Sequence, residues 1–253
     1  MEQTIAHPAG AADMPAATLA ALIALVHRHT GIAMSERKSV LLQVFINMVT
    51  TNDTAFFRTP HVWDYFAKTF LPAWVATHPG QTLKLWSAAA ASGEEAYSLA
   101  MLCHEFQRMT PSFQYRILAT DISTAVLATA ADALYGGRPV ERIRASHPQL
   151  FEKYFSIEAG GARVADVIRK HVRFAEHNLL GSLRPHEKFD LVFLRNVLIY
   201  FEPDNQKKVV DLLRQNMHKA SRLILCESES LGRLQTCYVH ALPLVYGTGV
   251  AGT

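Results

Sequence analysis

Acidic residues follow two short apolar stretches of the sequence and could hold a ligand there. Glu94 and Glu95 come directly after the small-residue run Ser87–Gly93, and Asp121 ends the apolar run Tyr115–Thr120. Small residues let a ligand approach the backbone closely, and a carboxylate at a strand end can accept the hydroxyls of a ribose. Because the first run lacks the GxGxxG pattern and places two carboxylates at a helix start, we expect a cationic or amine-bearing ligand there.

Each of these carboxylates also has a simpler explanation. Glu94 could complement the positive end of a helix dipole, and Asp121 could cap the helix that begins near Ser123. Glu95 and Asp121 lie 26 residues apart, which is typical of one β-α-β step. Taken together, these two carboxylates favour an adenosine-type ligand without a pyrophosphate.

Two other segments place polar groups beside apolar ones. Arg195 and Asn196 end the apolar run Phe189–Leu194, where burying them is costly unless they have a use. Tyr200 could present its hydroxyl to the same cleft, or it could be a core tyrosine with a satisfied hydroxyl. The polar residues of Thr51–Arg58 surround two phenylalanines, which indicates either a site or a capped turn before the next helix.

Other common kinds of site are not indicated. The twelve histidines do not follow the HxxxH spacing of a zinc site, so no metal is predicted. No GxSxG motif and no cysteine–histidine nucleophile pair is evident. The three cysteines include no CxxC pair, which favours buried thiols in a reducing compartment.

The elements that must position these residues alternate between strands and helices. Strands are expected at Leu83–Ala88, Tyr115–Thr120, Phe189–Leu194 and Leu223–Cys226, with helices between them. This order predicts an α/β fold, with a doubly wound and mostly parallel sheet that helices cover on both faces. Ligands then bind at the carboxyl ends of the strands, where the polar residues lie.

Two regions depart from that alternation. Residues 1–77 show helical spacing, with residues 1–15 expected to be disordered and Thr59-Pro60 expected as N-cap and first position of a helix. We therefore predict an N-terminal helical subdomain followed by a larger domain at 78–253. Within the larger domain, residues 151–177 carry Gly160-Gly161 between alternating segments, so a small inserted β-subdomain is expected there.

Composition and charge exclude several classes of protein. Hydrophobic residues make up 49% of the chain and charged residues 19%, which is typical of a globular protein. The net charge of +3 is too small for a dedicated nucleic-acid or membrane-surface binder. The longest apolar stretch, Ala16–Val26, is too short to cross a bilayer and lacks the basic flank of a signal peptide. We expect a cytoplasmic location, no nucleic-acid partner and no membrane insertion.

Five motifs, in order along the chain, resemble those of the CheR-type chemotaxis protein-glutamate O-methyltransferases. Residues 50–58 read TTNDTAFFR and are similar to the family's TTNxTxFFR. Residues 85–98 read LWSAAAASGEEAYS and are similar to its WSAAxSTGEEPYS. The three shorter matches are Ala119–Ile122, Asn178–Leu180 and Phe193–Phe201.

The resemblance implies a class I methyltransferase-like domain that binds S-adenosylmethionine and esterifies glutamate side chains on the cytoplasmic helical domain of chemoreceptors. Carried over to this sequence, Arg58 and Tyr200 would face the substrate carboxylate, Glu95 would take the methionine amine and Asp121 would hold the ribose. The full set of implied cofactor-binding residues is Asn52, Thr54, Arg58, Glu95, Asp121, Asn178, Leu179, Arg195 and Asn196.

The sequence departs from the family pattern within residues 85–98, where Ala91-Ser92 and Ala96 replace the family's Ser-Thr and Pro, and in two further places. Cys226–Ser230 reads CESES where the family usually has a Gly-His-Ser/Ala-Glu-Ser stretch, and a basic segment is missing between Gln43 and Phe45. The short turn at Gly160-Gly161 resembles members that do not tether to a receptor's C-terminal peptide. Alternatives therefore stay open: the same chemistry on a non-chemotaxis protein or small carboxylic acid, or a cofactor-binding regulatory module. The lack of a glycine triplet disfavours a nicotinamide oxidoreductase, and the small charge disfavours a nucleic-acid methyltransferase.

Overall fold

The computed structural model describes residues 54–183 and 186–248. Contacts divide the chain into two units, one of residues 1–51 with 123–125 and one of residues 52–122 with 126–253. The second unit contains nearly all of the described residues. The predictions for Asn52, for the helices before residue 54 and for the segment around Gln43 lie outside the described residues.

The described residues form a seven-stranded sheet of order β6-β2-β1-β7-β8-β10-β9 and a three-stranded sheet of order β3-β5-β4. In chain order the strands are β1 (Thr82–Ser87), β2 (Gln114–Asp121), β3 (Leu134–Tyr135), β4 (Phe155–Glu158), β5 (Gly161–Val164), β6 (Val172–Glu176), β7 (Phe189–Phe193), β8 (Met217–Ile224), β9 (Tyr238–Leu242) and β10 (Val245–Thr248).

The large sheet is mostly parallel, which confirms the predicted fold class. Strand β1 pairs in parallel with both β2 and β7, and the outer pairs β2–β6 and β7–β8 are parallel as well. Strand β10 is antiparallel to both of its neighbours, β8 and β9. Ser87 is in register with Ala119 of β2 and Phe193 of β7, so the carboxyl ends of the three central strands meet at one edge.

Helices cover both faces of this sheet. They are α1 (Pro60–Tyr65), a π-helical turn (Phe66–Phe70), α2 (Leu71–Thr77), α3 (Glu94–Met109), α4 (Thr124–Asp132), α5 (Arg138–Ser146), α6 (Pro148–Tyr154), α7 (Asp166–Arg169), a 3₁₀ turn (Leu198–Tyr200) and α8 (Pro203–Gln215). Side chains alternate across a strand, and Leu85 accordingly lies in one buried cluster and Trp86 in another. Helices α1, α2 and α3 contribute to the first cluster and α8 to the second. In the described part of the chain, no helix is long and apolar enough to cross a membrane.

The inserted β-subdomain differs from its predicted bounds. Strands β4 and β5 form the expected hairpin around Gly160-Gly161, and β3 adds a third strand. Residues 172–176, which were predicted to belong to the insertion, instead form β6 and pair in parallel with β2. The assignment of these residues was wrong because an edge strand is only partly buried: Arg173 and Glu176 interrupt Val172–Glu176, which therefore lacks the apolar run of a central strand.

The first described helices also differ from expectation. Helices α1 and α2 belong to the same contact unit as the sheet, where the sequence predicted a boundary at residue 77. Trp63 of α1 stacks on Phe193 of β7 with ring centroids 5.6 Å apart, which ties this helix to the central strands. Pro60 occupies the first turn of α1 as predicted, but Thr59 has a φ of 66° and makes no capping bond. Its hydroxyl donates to Glu227 Oε2 at 3.2 Å instead.

Candidate active site

The loop between β1 and α3 is fixed by backbone bonds to both neighbouring strands. The N–H of Ala88 donates to the carbonyl of Phe193 at 2.8 Å, and that of Ala90 donates to the carbonyl of Thr120 at 2.9 Å. Gly93 has a φ of 95°, and an added Cβ there would lie 2.9 Å from the Cβ of Ala130. A residue with a side chain would meet both backbone strain and a steric clash at this position, so glycine is what lets the loop enter α3 so tightly.

Glu95, in the first turn of α3, lies at the centre of a buried polar network. Its Oε1 accepts a hydrogen bond from Ser87 Oγ at 2.8 Å, and its Oε2 accepts one from Arg195 Nη1 at 3.2 Å. Arg195 is 6% exposed and Glu95 is 8% exposed, so the ion pair is shielded from water. The network joins the end of β1, the start of α3 and the segment that follows β7.

Arg195 also connects this network to the segment that precedes α1. Its Nη2 donates to the carbonyl of Arg58 at 3.2 Å, and the same carbonyl accepts the indole N–H of Trp63 at 2.7 Å. One residue earlier, Phe57 has a φ of 53° and its N–H donates to Ser98 Oγ at 3.0 Å. These contacts hold the backbone of Arg58 beside the carboxyl ends of the central strands.

Asp121, the last residue of β2, organises the neighbouring loops. Its Oδ2 accepts the N–H of Ala91 at 2.9 Å, and its carbonyl accepts the N–H of His177 at 2.9 Å. The second bond places residues 178 and 179 next to Asp121. There, Asn178 Oδ1 accepts the N–H of Leu180 at 2.9 Å, which forms a local turn. Leu179 packs into the second buried cluster.

The segment after β7 is shaped by a carboxylate whose role the sequence reasoning did not identify. Glu229 Oε1 accepts the N–H groups of Val197 and Leu198 at 2.7 and 2.8 Å. Its Oε2 accepts those of Asn196 and Cys226, each at 3.1 Å. Asn196 has a φ of 58°, so the chain reverses sharply at this point. The only sequence signal was an acidic residue inside the motif that follows β8.

The predicted site residues converge to different degrees. Arg58, Glu95 and Arg195 share one hydrogen-bonded network, Asn196 follows it directly, and Asp121, Asn178 and Leu179 form an adjacent group. Thr54 is partly buried in the segment before Arg58. Tyr200, at the end of the 3₁₀ turn, is 59% exposed, so it lies at the surface and is not a core tyrosine.

Burial makes the electrostatics of the site unusual. Desolvation raises the pKa of Glu95 above that of a free glutamate, and the guanidinium of Arg195 and the hydroxyl of Ser87 oppose this shift in part. The charged side chains that are buried in the described part of the chain are Glu94, Glu95, Arg195 and Glu229. Three carboxylates and one guanidinium leave an excess of negative charge, which suits a cationic ligand.

The donors and acceptors of the site fit S-adenosylmethionine. Within the described residues, the buried Nε of Arg195 has no hydrogen-bond partner, and a buried N–H normally finds an acceptor such as a carboxylate. The Ala-rich loop offers close backbone approach. Glu95 lies at the start of the helix that follows β1, and Asp121 lies at the end of the neighbouring strand β2. A nucleoside that carries a sulfonium, an ammonium and a carboxylate matches each of these features.

Comparison with known proteins agrees with the geometry. A family model described as "CheR methyltransferase, SAM binding domain" matches residues 52–242. The chain is 32% identical over 200 residues to chemotaxis protein methyltransferase 2 of Vibrio cholerae, covering 78% of this chain and 68% of that one. It is 34% identical over 199 residues to the chemotaxis protein methyltransferase of Listeria monocytogenes, covering 78% and 72%. A solved S-adenosylmethionine-dependent methyltransferase of Clostridium acetobutylicum aligns at 16% identity with a TM-score of 0.36, covering 64% of this chain and 49% of that one.

The family match spans most of the chain, and it includes the β1–α3 loop, the end of β2 and the segment after β7. It confirms the resemblance that the five sequence motifs predicted, together with the cofactor. The chain belongs to the CheR methyltransferase family and is a methyltransferase that carries the family's S-adenosylmethionine-binding domain.

Proposed function

We propose that this chain transfers a methyl group from S-adenosylmethionine to glutamate side-chain carboxylates on the cytoplasmic helical domain of methyl-accepting chemoreceptors. The products are glutamate methyl esters and S-adenosylhomocysteine. The observation that carries the proposal is the buried Arg195, which pairs with Glu95 and also binds the carbonyl of Arg58. This one side chain ties the proposed cofactor side of the site to the proposed acceptor side.

On the cofactor side, each group has a distinct task. An ionised carboxylate has about four lone-pair sites, so Glu95 can accept from a ligand ammonium while it keeps its bonds to Ser87 and Arg195. Asp121 binds the ribose hydroxyls, and the Nε of Arg195 donates to the ligand carboxylate. The remaining residues complete the pocket: Asn178 and Leu179 at the adenine, Asn196 beside Arg195, and Asn52 and Thr54 on the side of the preceding segment.

On the acceptor side, the reaction needs positioning more than it needs a base. When bound, the cofactor supplies a methyl group that its positively charged sulfur already activates. A glutamate with a pKa of about 4.3 is ionised at neutral pH and is therefore already a nucleophile. Arg58 pairs with the incoming carboxylate through its forked guanidinium, and the exposed hydroxyl of Tyr200 donates to one carboxylate oxygen. Holding the two reacting atoms about 3 Å apart and in line supplies the rest of the rate enhancement.

The choice of acceptor rests on the relatives and on the inserted subdomain. Both relatives described above are named chemotaxis protein methyltransferases. The hairpin of β4 and β5 is closed by the tight turn Ala159-Gly160, directly before Gly161 of β5, and we propose that this chain acts on receptors without tethering to a C-terminal receptor peptide. Removing that peptide from a receptor substrate should then leave the methylation rate unchanged.

The test is a methyl-transfer assay that is specific for esters. The chain is incubated with S-adenosylmethionine labelled in the methyl group and with purified receptor cytoplasmic fragments, and volatile methanol is measured after treatment at high pH. Esters release methanol under these conditions, whereas methylated amides and amines do not. Fragments with glutamine at the methylation sites are the matched control. Label that is retained at high pH, or that transfers equally to the glutamine fragments, would contradict the proposal. Label that appears only on other proteins or on small carboxylic acids of the host would favour the alternative acceptors.

A further inference from the structure

Glu229 is a buried carboxylate that the proposed chemistry does not use directly. It is 6% exposed and lies in the loop that follows β8, and β8 is the strand next to β7 in the sheet. Its two oxygens accept four backbone N–H groups, at distances of 2.7 to 3.1 Å. Hydrogen bonds from N–H groups to a carboxylate are roughly twice as strong as those between neutral groups. Such a set of bonds can determine the shape of a turn.

Three of the four donors belong to consecutive residues of the segment that carries the proposed site residues. Asn196 adopts a left-handed conformation with a φ of 58°, which asparagine tolerates better than most residues other than glycine. The next two N–H groups belong to Val197 and Leu198 and point at a single oxygen of Glu229. The 3₁₀ turn that begins at Leu198 ends at Tyr200, which is 59% exposed.

The fourth N–H donor to Glu229 belongs to Cys226, which lies just after β8. The N–H of Cys226 donates to Glu229 Oε2, and Cys226 Sγ accepts from Asn196 Nδ2 at 3.2 Å. The carboxylate of Glu229 therefore links the segments that follow β7 and β8. Glu229 binds the backbone N–H of Asn196, and the thiol of Cys226 binds the side chain of Asn196. The position of Tyr200 depends mainly on this backbone, because its own side chain is largely outside the core.

We propose that Glu229 is a positioning residue: by binding the N–H groups of Asn196, Val197 and Leu198, it sets the direction in which Tyr200 presents its hydroxyl to the methyl acceptor. The inference rests on the proposed function, since it assumes that Tyr200 contacts the acceptor carboxylate. In this role Glu229 acts through the backbone that it binds and needs no contact of its own with the acceptor or the cofactor.

Glutamine is the informative replacement at this position. Glu229→Gln keeps the size of the side chain but turns one acceptor oxygen into a donor that opposes the N–H groups facing it. We expect turnover at saturating S-adenosylmethionine to fall at least tenfold. The affinity for S-adenosylhomocysteine should fall by a smaller factor, because of the four N–H donors only that of Asn196 belongs to a residue of the proposed cofactor pocket. Glu227→Gln is the matched control, because a glutamine oxygen can still accept the hydroxyl of Thr59; its turnover should stay within twofold of the wild type.

A double-mutant cycle separates positioning from general destabilisation. If Glu229 acts through the Tyr200 hydroxyl, Glu229→Gln should reduce turnover less than threefold in a Tyr200→Phe background, although it costs at least tenfold in the wild type. If the two losses multiply, Glu229 does not act through Tyr200 and the proposal is overturned. Equal turnover of Glu229→Gln and the wild type would overturn it as well.

Hydrogen exchange tests the same inference without an acceptor. The amides of residues 196–198 should exchange at least tenfold faster in Glu229→Gln than in the wild type, while those of β1 are unchanged. Unchanged protection at 196–198 would refute the proposed bonds. If the wild type methylates no receptor, yet Glu229→Gln shows this local loss of protection, the proposed function would be contradicted and the positioning of this turn by Glu229 would remain supported.

Discussion

Replacing Arg195 with methionine should destabilise the protein strongly at neutral pH. The guanidinium is buried and donates to Glu95 Oε2 and to the carbonyl of Arg58, each at 3.2 Å. Methionine fills much of the same volume but supplies neither charge nor donors. Glu95 would then keep its bond from Ser87 and lose its buried counter-ion.

The structure gives the size of the effect. Two unit charges 3.2 Å apart attract each other by about 5 kcal/mol at an effective dielectric constant of about 20. The variant no longer has to desolvate a guanidinium, which offsets part of that loss, and removing one partner of a buried pair typically costs about 3–5 kcal/mol. We expect the free energy of unfolding to fall by about 3–5 kcal/mol, out of a total that is about 5–15 kcal/mol for most domains.

The same reasoning fixes the dependence on pH. Burial raises the pKa of Glu95 and Arg195 opposes this shift, so the pKa of Glu95 should rise further in the variant. When folding raises the pKa of a carboxyl group, the folded protein loses stability as the pH rises from the unfolded-state pKa to the folded-state pKa, because the buried group must then ionise. The deficit of the variant should therefore be largest at neutral pH and should shrink on acidification, when Glu95 binds a proton.

Urea unfolding of the wild type and of Arg195→Met, at about pH 7.5 and about pH 5.5, measures both effects. The control is the double variant Arg195→Met with Glu95→Gln, in which position 95 no longer carries a charge, and it should recover at least half of the loss. A deficit below about 1 kcal/mol, or a double variant no more stable than Arg195→Met alone, would refute the claim that an unpaired buried charge is the cause.

Three further predictions concern the ligand and the fold. Asp121→Ala should weaken S-adenosylhomocysteine binding about 10²- to 10⁴-fold, because two hydrogen bonds to a charged group are lost, and calorimetry showing unchanged affinity would remove Asp121 from the ribose site. Burial raises the pKa of Glu95, so on acidification the affinity for S-adenosylhomocysteine should begin to fall at a higher pH than that at which a free glutamate titrates. Below that pH the affinity should fall about tenfold per pH unit. A Glu95→Gln variant with the same pH profile would assign the titration to another group. Gly93→Ala should lower the free energy of unfolding by about 1–3 kcal/mol. The loss should be larger than that of Gly80→Ala, because Gly80 has a positive φ of 71° as well but has open space around it. Equal losses of unfolding free energy in urea would show that the steric clash at Gly93 is relieved without destabilising the fold.

The sequence predicted the core of the sheet well because buried parallel strands read as continuous apolar runs. Tyr115–Thr120 and Phe189–Leu194 were expected as strands and correspond to most of β2 and β7. Strand β6 was missed because it lies at an edge of the parallel part of the sheet and its residues are partly exposed. Its mixture of polar and apolar residues is equally consistent with a hairpin strand, and only pairing with β2 decides between the two.

The site was predicted in part, for a related reason. Asp121 ends an apolar run and Glu95 follows another after a short loop, so the pattern places both near the carboxyl ends of strands, and parallel pairing then brings them to one edge of the sheet. The pairing of Glu95 with Arg195 joins residues 100 positions apart, and three of the bonds of Glu229 join residues 31 to 33 positions apart. Thr59 illustrates the opposite error: threonine before proline is a typical N-cap, but its hydroxyl binds Glu227 on a distant loop.

The α/β class, the positions of the central strands, the family and the residue types that can hold a charged nucleoside could all be inferred from the sequence. They depend on hydrophobic periodicity and on short motifs, which are local properties of the chain. Three-dimensional packing was needed to establish that Glu95 pairs with Arg195 and that Glu229 shapes the turn before Tyr200. A buried charge must find its counter-ion or its N–H donors nearby in space, and the order of strands in the sheet, not the order of residues in the chain, determines what is nearby.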